Sequence, residues 1–85
     1  MANKRPKEAY EIEAVSKALR VLEAVESDNG KPVPLPRIVG RTKFTRDFVM
    51  RALITFEISG YVINTEGNKW MYGRRLVRLA ANDRL

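Results

Sequence analysis

The feature that most restricts this chain is a run of stop signals packed into its middle third. Pro36 opens a stretch barely two turns long, and Thr42-Lys43-Phe44 interrupts it. Thr45 then restarts a helix, Gly60 ends it, and Tyr61-Val62-Ile63 at once turns to a strand pattern. Proline suits a first helical turn because its missing N–H has no acceptor there. Threonine caps a new helix start, and glycine accepts the left-handed conformation that ends one. Two helices joined by a three-residue corner and followed directly by a strand leave little choice of fold: they are a helix-turn-helix with a sheet behind it.

The flanks extend that reading. Residues 1–8 are polar and basic and read as a flexible arm, leaving 9–85 as one domain. Over about 9–27, Ile12, Val15, Leu19 and Leu22 recur every three or four residues, with Ala18 and Val25 widening the stripe. Ser27-Asp28-Asn29-Gly30 stops this helix, and Val33 is placed for a brief edge-strand contact. Residues 36–42 form the second helix, with Leu35, Ile38 and Val39 inward. Residues 46–59 form the third, with Val49, Ala52, Leu53 and Phe56 inward and Asp47 favouring the positive end of its dipole. Tyr61-Val62-Ile63 and Lys69-Trp70-Met71-Tyr72 pair as a hairpin around the turn-rich stretch 64–68, and Trp70 and Tyr72 share a face that covers the third helix. After Gly73, a short closing helix over 74–81 carries Leu76, Leu79 and Ala80 on one side and Arg74, Arg75 and Arg78 on the other. The expected fold class is α+β, a winged helix-turn-helix with a three-helix core, a C-terminal β-hairpin wing and a closing helix.

Composition excludes much chemistry. There is no cysteine and no histidine, so disulfides, thiolate metal sites and imidazole acid–base catalysis cannot be built. Neither an enzyme, a metal site nor a cofactor is expected. No apolar run approaches the ~18 residues of a membrane span, and Lys4, Arg5 and Lys7 precede no apolar leader, so a cytoplasmic protein is expected. The formal net charge of +6 is unevenly spread. Residues 1–30 hold five Lys/Arg against six Asp/Glu, whereas residues 31–85 hold eleven against four. The basic surface therefore belongs to the helix-turn-helix and its wing, as a polyanion-binding domain requires.

Several stretches resemble the N-terminal domain of IclR-type bacterial transcription regulators. Val15-Ser16-Lys17-Ala18-Leu19-Arg20-Val21-Leu22-Glu23 is similar to that family's first helix, roughly S-x-x-R/K-A-L-x-V-L-E. Ile38-Val39-Gly40-Arg41-Thr42 resembles its second helix, and Phe48-Val49-Met50-Arg51-Ala52-Leu53 its T-V-x-R-L-L run. Gly60-Tyr61-Val62 resembles the segment opening the wing, and Gly73-Arg74-Arg75-Leu76-Val77-Arg78-Leu79-Ala80 the one leaving it. The resemblance runs over about 14–80 and implies a small bacterial or phage regulator that binds DNA. It departs at the corner, where the family has T-G-L-P-K-S-T and this chain has Thr42-Lys43-Phe44-Thr45-Arg46-Asp47-Phe48. Lys43 stands where a turn glycine is usual, and Asp47 where a small polar residue faces DNA. Family members continue into a ligand-sensing domain; the sequence stops at Leu85, so no small-molecule effector is expected.

The expected partner is double-stranded DNA, bound sequence-specifically. The helix from Arg46 enters the major groove, where base edges are distinguishable. Arg46 and Arg51 lie about 140° apart around an ideal helix, so one reads a base and the other holds a phosphate. Arg41, Lys43 and Thr45 are further phosphate candidates, Asp47 and Met50 face the groove, and Asn68 and Lys69 reach out from the wing. Lys17 and Arg20 read as solvated helix charges. The apolar side of helix one, or Leu76 and Leu79, can pair two subunits into a homodimer. The alternative is a winged-helix protein–protein interaction module in a larger nucleoprotein assembly, for which Phe44, Phe48 and Met50 would supply an apolar patch.

Overall fold

The computed structural model describes residues 6–82. Of the basic arm, Lys4 and Arg5 lie outside the described residues. A single 3₁₀ turn, Lys7–Tyr10, precedes α1, Glu13–Glu23, with extended backbone at Glu11 and Ile12 between them. There follow β1 (Val33–Pro34), α2 (Leu35–Thr42), α3 (Arg46–Ile58), β2 (Val62–Thr65), β3 (Lys69–Tyr72) and α4 (Arg74–Ala81). The strands form one antiparallel sheet in the order β1-β3-β2, with Val33 opposite Trp70 and Val62 opposite Tyr72. This is an α+β winged helix-turn-helix.

Local chemistry sets the boundaries. Thr45 caps α3, its hydroxyl accepting from the Phe48 N–H at 3.2 Å. At the other end Gly60 has φ +85°, and the Gly60 and Tyr61 N–H groups return to the carbonyls of Glu57 and Phe56 at 3.0 and 2.8 Å. That pair of bonds is a Schellman stop. In the helix-turn-helix corner, the Thr42 hydroxyl donates to the Ile38 carbonyl at 3.0 Å and accepts from the Phe44 N–H at 3.3 Å. Thr42 is buried, so its polar group is satisfied where water cannot reach.

The first helix corrects the sequence expectation. It is shorter than 9–27, and the side it buries is different. Val21, Ala24 and Val25 enter the core, with Ala18 and Leu22 half-buried, while Ile12, Val15 and Leu19 are 65%, 52% and 49% exposed. The chain offers two neighbouring apolar stripes at helical spacing, and α3 selects the one with small residues. Ala14 and Ala18 face the groove beside Ala52, where bulkier groups would hold the helices apart. The core is completed by Leu35 and Ile38 of α2, Val49 and Leu53 of α3, and Val33, Val62 and Trp70 of the sheet.

Two side chains hold the end of α1, whose last carbonyls have no partner within the helix. The Tyr72 hydroxyl donates to the Leu22 carbonyl at 2.9 Å, and the Arg41 guanidinium donates to the carbonyls of Ala24 and Glu26 at 2.7 and 2.6 Å. Helix α4 is different in kind: it buries no residue, and Val77 and Leu79 are more than half exposed.

Candidate nucleic-acid interface

Helix α3 sorts its side chains by angle. Val49, Ala52 and Leu53 point into the core, and at about 100° per residue the opposite arc falls on Asp47, Arg51, Ile54 and Ile58. All four are exposed, Ile58 to 81%. Arg51 therefore stands on the outward face, beside Ile58 at its middle. Its guanidinium lies 3.9 Å from the Asp47 carboxylate one turn earlier, with both side chains about four-fifths exposed. Arg46 is exposed because it opens α3, and on the wheel it lies about 140° round from Arg51, outside this arc.

Thr45, Lys43 and Arg46 gather at the start of α3. Thr45 closes one of the three leading N–H groups, leaving those of Arg46 and Asp47 without an intrahelical acceptor. Lys43 is exposed and adopts φ 62°, ψ 21°, the left-handed conformation in which the family resembled above has glycine. The lysine therefore bears a backbone strain that glycine would escape.

Two of the expected contact residues also have partners within the chain. Arg41 is a structural tether: besides the carbonyls of Ala24 and Glu26, its guanidinium reaches the Asp28 carboxylate at 3.4 Å, so three of its five N–H donors point back into the chain. Met50, lateral on the wheel, is half-buried and packs against the core. At the wing, Asn68 has φ 59° next to Gly67 at φ 77°, which turns the three-residue tip, and its carbonyl accepts from the Leu35 N–H at 3.2 Å. Lys69 is exposed beside it and lines a groove of about 420 Å³ together with Lys31 and Arg37. Lys31 and Arg37 were not picked out by the sequence; only the pairing of β1 with β3 brings them to the wing.

Lys17 and Arg20, expected as solvated helix charges, also meet the corner. The Lys17 ammonium lies 5.2 Å from the centre of the Phe44 ring and 4.9 Å from that of Phe48, and the Arg20 guanidinium 5.1 Å from Phe44. The two rings meet edge to face at 5.4 Å and 82°. Phenylalanines four residues apart were the one available signal, legible only once α1 is known to cross the corner.

No protein-family model matches the chain, and neither does any curated protein. Solved structures do. An IclR-family transcriptional regulator from Brucella abortus superposes with a TM-score of 0.74 at 18% identity, covering 93% of this chain and 30% of that one. An IclR transcriptional regulator from Alicyclobacillus acidocaldarius gives 0.73 at 25% identity, covering 85% and 29%. HmgR of Pseudomonas aeruginosa gives 0.72 at 18%, covering 82% and 29%. The chain thus spans less than a third of the length of these neighbours, and what it shares with them is the winged-helix fold of IclR-family regulators.

Proposed function

We propose that this chain, with the fold of the winged-helix part of IclR-family regulators, is a non-enzymatic module that binds double-stranded DNA sequence-specifically in a cytoplasmic transcription regulator of bacterial type. The observation that carries the reading is Arg51 on the outward face of α3, with Lys43 and Arg46 at the helix start. An α-helix fits the major groove, and a guanidinium there can bond guanine O6 and N7 together. The exposed pair with Asp47 is worth at most about 1 kcal/mol, so it opens readily when a base offers better geometry. Asp47 then faces the groove as an acceptor suited to the cytosine amino group. Lys43, Arg46 and Thr45 take phosphates, the exposed part of half-buried Met50 meets a thymine methyl, and Asn68 and Lys69 meet the backbone at the wing with Lys31 and Arg37.

The test is a binding titration on duplexes enriched from a random pool, repeated across salt concentrations. If about six cations neutralise phosphates, log affinity falls with log salt at a slope near −5. Arg51→Ala is expected to weaken binding to the enriched site by about 1–3 kcal/mol while sparing unrelated duplexes. A slope near zero in the wild-type protein refutes the reading.

Because one winged domain covers few base pairs, useful specificity calls for two copies. The second copy is proposed to meet the exposed Ile12, Val15 and Leu19 of α1 and Val77 and Leu79 of α4. Sedimentation as a monomer at high concentration would remove this part. One observation favours the protein-docking reading instead: Ile54 and Ile58 put apolar surface on the outward face of α3. Failure to bind any duplex at low salt would leave that reading standing.

A further inference from the structure

We propose that Lys17 and Arg20 of α1 form a second phosphate clamp on the DNA backbone, held in place by the Phe44–Phe48 pair. The inference rests on the DNA-binding reading above and adds a contact to it. A cation over an aromatic face is attracted by the ring quadrupole and keeps its full charge. That separates these two groups from the other positioned cations. Among the described residues the ion pairs are Arg41–Asp28 and Arg51–Asp47, so neither Lys17 nor Arg20 is neutralised by a carboxylate. Glu13 and Glu23, one turn away on the same helix, make no ion pair with them.

Position supplies the second argument. Phe44 lies between Lys43 and the cap Thr45, and Phe48 is in the first turn of α3. The rings therefore bring the two cations of α1 to the end of α3 where Lys43 and Arg46 stand. When the start of α3 enters a groove, the strand bordering that groove runs past this end, and its phosphodiesters are the anions such cations fit. Holding a long side chain before binding also removes part of the ordering cost that a free lysine would meet on contact. Phe44 and Phe48 are thus positioning residues, and Lys17 and Arg20 are the ligands of the phosphates.

The experiment compares wild type, Lys17→Gln/Arg20→Gln and Phe48→Leu by fluorescence anisotropy on a labelled duplex of mixed sequence, across salt concentrations. Circular dichroism melts verify that each variant is folded. Removing two phosphate contacts is expected to make the salt slope shallower by about 1.8, which is about 60-fold in affinity at 0.1 M salt, with the curves converging toward 1 M. The loss should be equal on all sequences. Phe48→Leu is expected to weaken binding about two- to fivefold at an unchanged slope, because the charges remain and only their placement is lost. A steep wild-type slope that the double glutamine variant leaves unchanged overturns the clamp and spares the DNA-binding reading. Absence of salt-dependent binding in the wild-type protein overturns both.

Discussion

Replacing Lys43 by glycine should make the protein more stable and a weaker DNA binder at once. The residue holds φ 62° and ψ 21° as the cap of α2, with its N–H bonded to the Val39 carbonyl at 2.8 Å. For an L-residue this conformation costs about 1–2 kcal/mol, which glycine escapes. Glycine in turn has more backbone entropy to lose on folding, about 0.5–1 kcal/mol. The difference leaves a net gain of about 0–1.5 kcal/mol, and its central value of about 0.75 kcal/mol is some 3–6 °C in melting temperature for a domain of this size. The lost ammonium removes one phosphate contact, so the salt slope should become shallower by about 0.9. Lys43→Asn separates the effects, since asparagine tolerates the left-handed region and carries no charge: it should share the shallower slope with a smaller thermal gain. Thermal melts by circular dichroism and anisotropy titrations read both quantities from the same preparations. A lower melting temperature for Lys43→Gly would refute the strained corner, and an unchanged slope would refute the phosphate contact.

Arg41→Met should cost about 2 kcal/mol in chemical denaturation, because it strips two charge-assisted hydrogen bonds from the end of α1. It should leave the salt slope of DNA binding as it was, and a shallower slope would return Arg41 to the interface. Gly73→Ala should cost about 3 kcal/mol or more, since a Cβ there would lie 2.5 Å from the Gly60 carbonyl oxygen, a backbone atom with no room to retreat. A melting temperature within a few degrees of wild type would show that the two loops separate easily. For Tyr72, burial first, then the nearby Glu26 and Glu23 against a smaller opposing effect of Arg41, raise the phenol above its ordinary value of 10.0. The unfolded chain therefore loses this proton before the folded one, and stability present below about pH 10 declines as pH rises beyond it. Tyr72→Phe should lower stability by about 1 kcal/mol at neutral pH and flatten that alkaline decline. A decline as steep as in wild type would assign it elsewhere.

The sequence was informative where a residue's task is settled by its chain neighbours. Thr45 caps α3 because the N–H it accepts from belongs to Phe48, three residues on. Gly60 ends α3 through bonds to Glu57 and Phe56, also local, and Val33 pairs at the sheet edge because prolines on both sides keep it extended. Judgement failed where the task depends on distant contacts. Arg41 bonds to a carbonyl 17 residues back, so spacing alone could not distinguish it from a phosphate ligand. Lys17 and Arg20 acquired a place only when the corner folded beneath them. The expected stripe of α1 is partly displaced for a similar reason: Ala18, Leu22 and Val25 do pack inward, but periodicity alone could not show that Val21 and Ala24 replace Ile12, Val15 and Leu19. Close approach of α1 to α3 instead rewards alanine and valine.

The same point governs how the charge of the chain should be understood. An excess of cations over residues 31–85 suggests attraction to a polyanion, but the fold assigns those cations different work. Arg41 is tied to α1, Arg51 is poised against Asp47, and Lys43 is fixed by a left-handed backbone. Residues 1–30, acidic in sum, contribute Lys17 and Arg20 to the corner. A surface built this way derives its attraction from a few oriented groups. In the proposed complex, specificity turns on Arg51, the one cation on the outward arc of α3. An exposed ion pair such as Asp47–Arg51 adds little to stability. Its consequence lies in binding: the arginine must leave a carboxylate to reach a base, so a groove offering no bidentate acceptor gives it less reason to move.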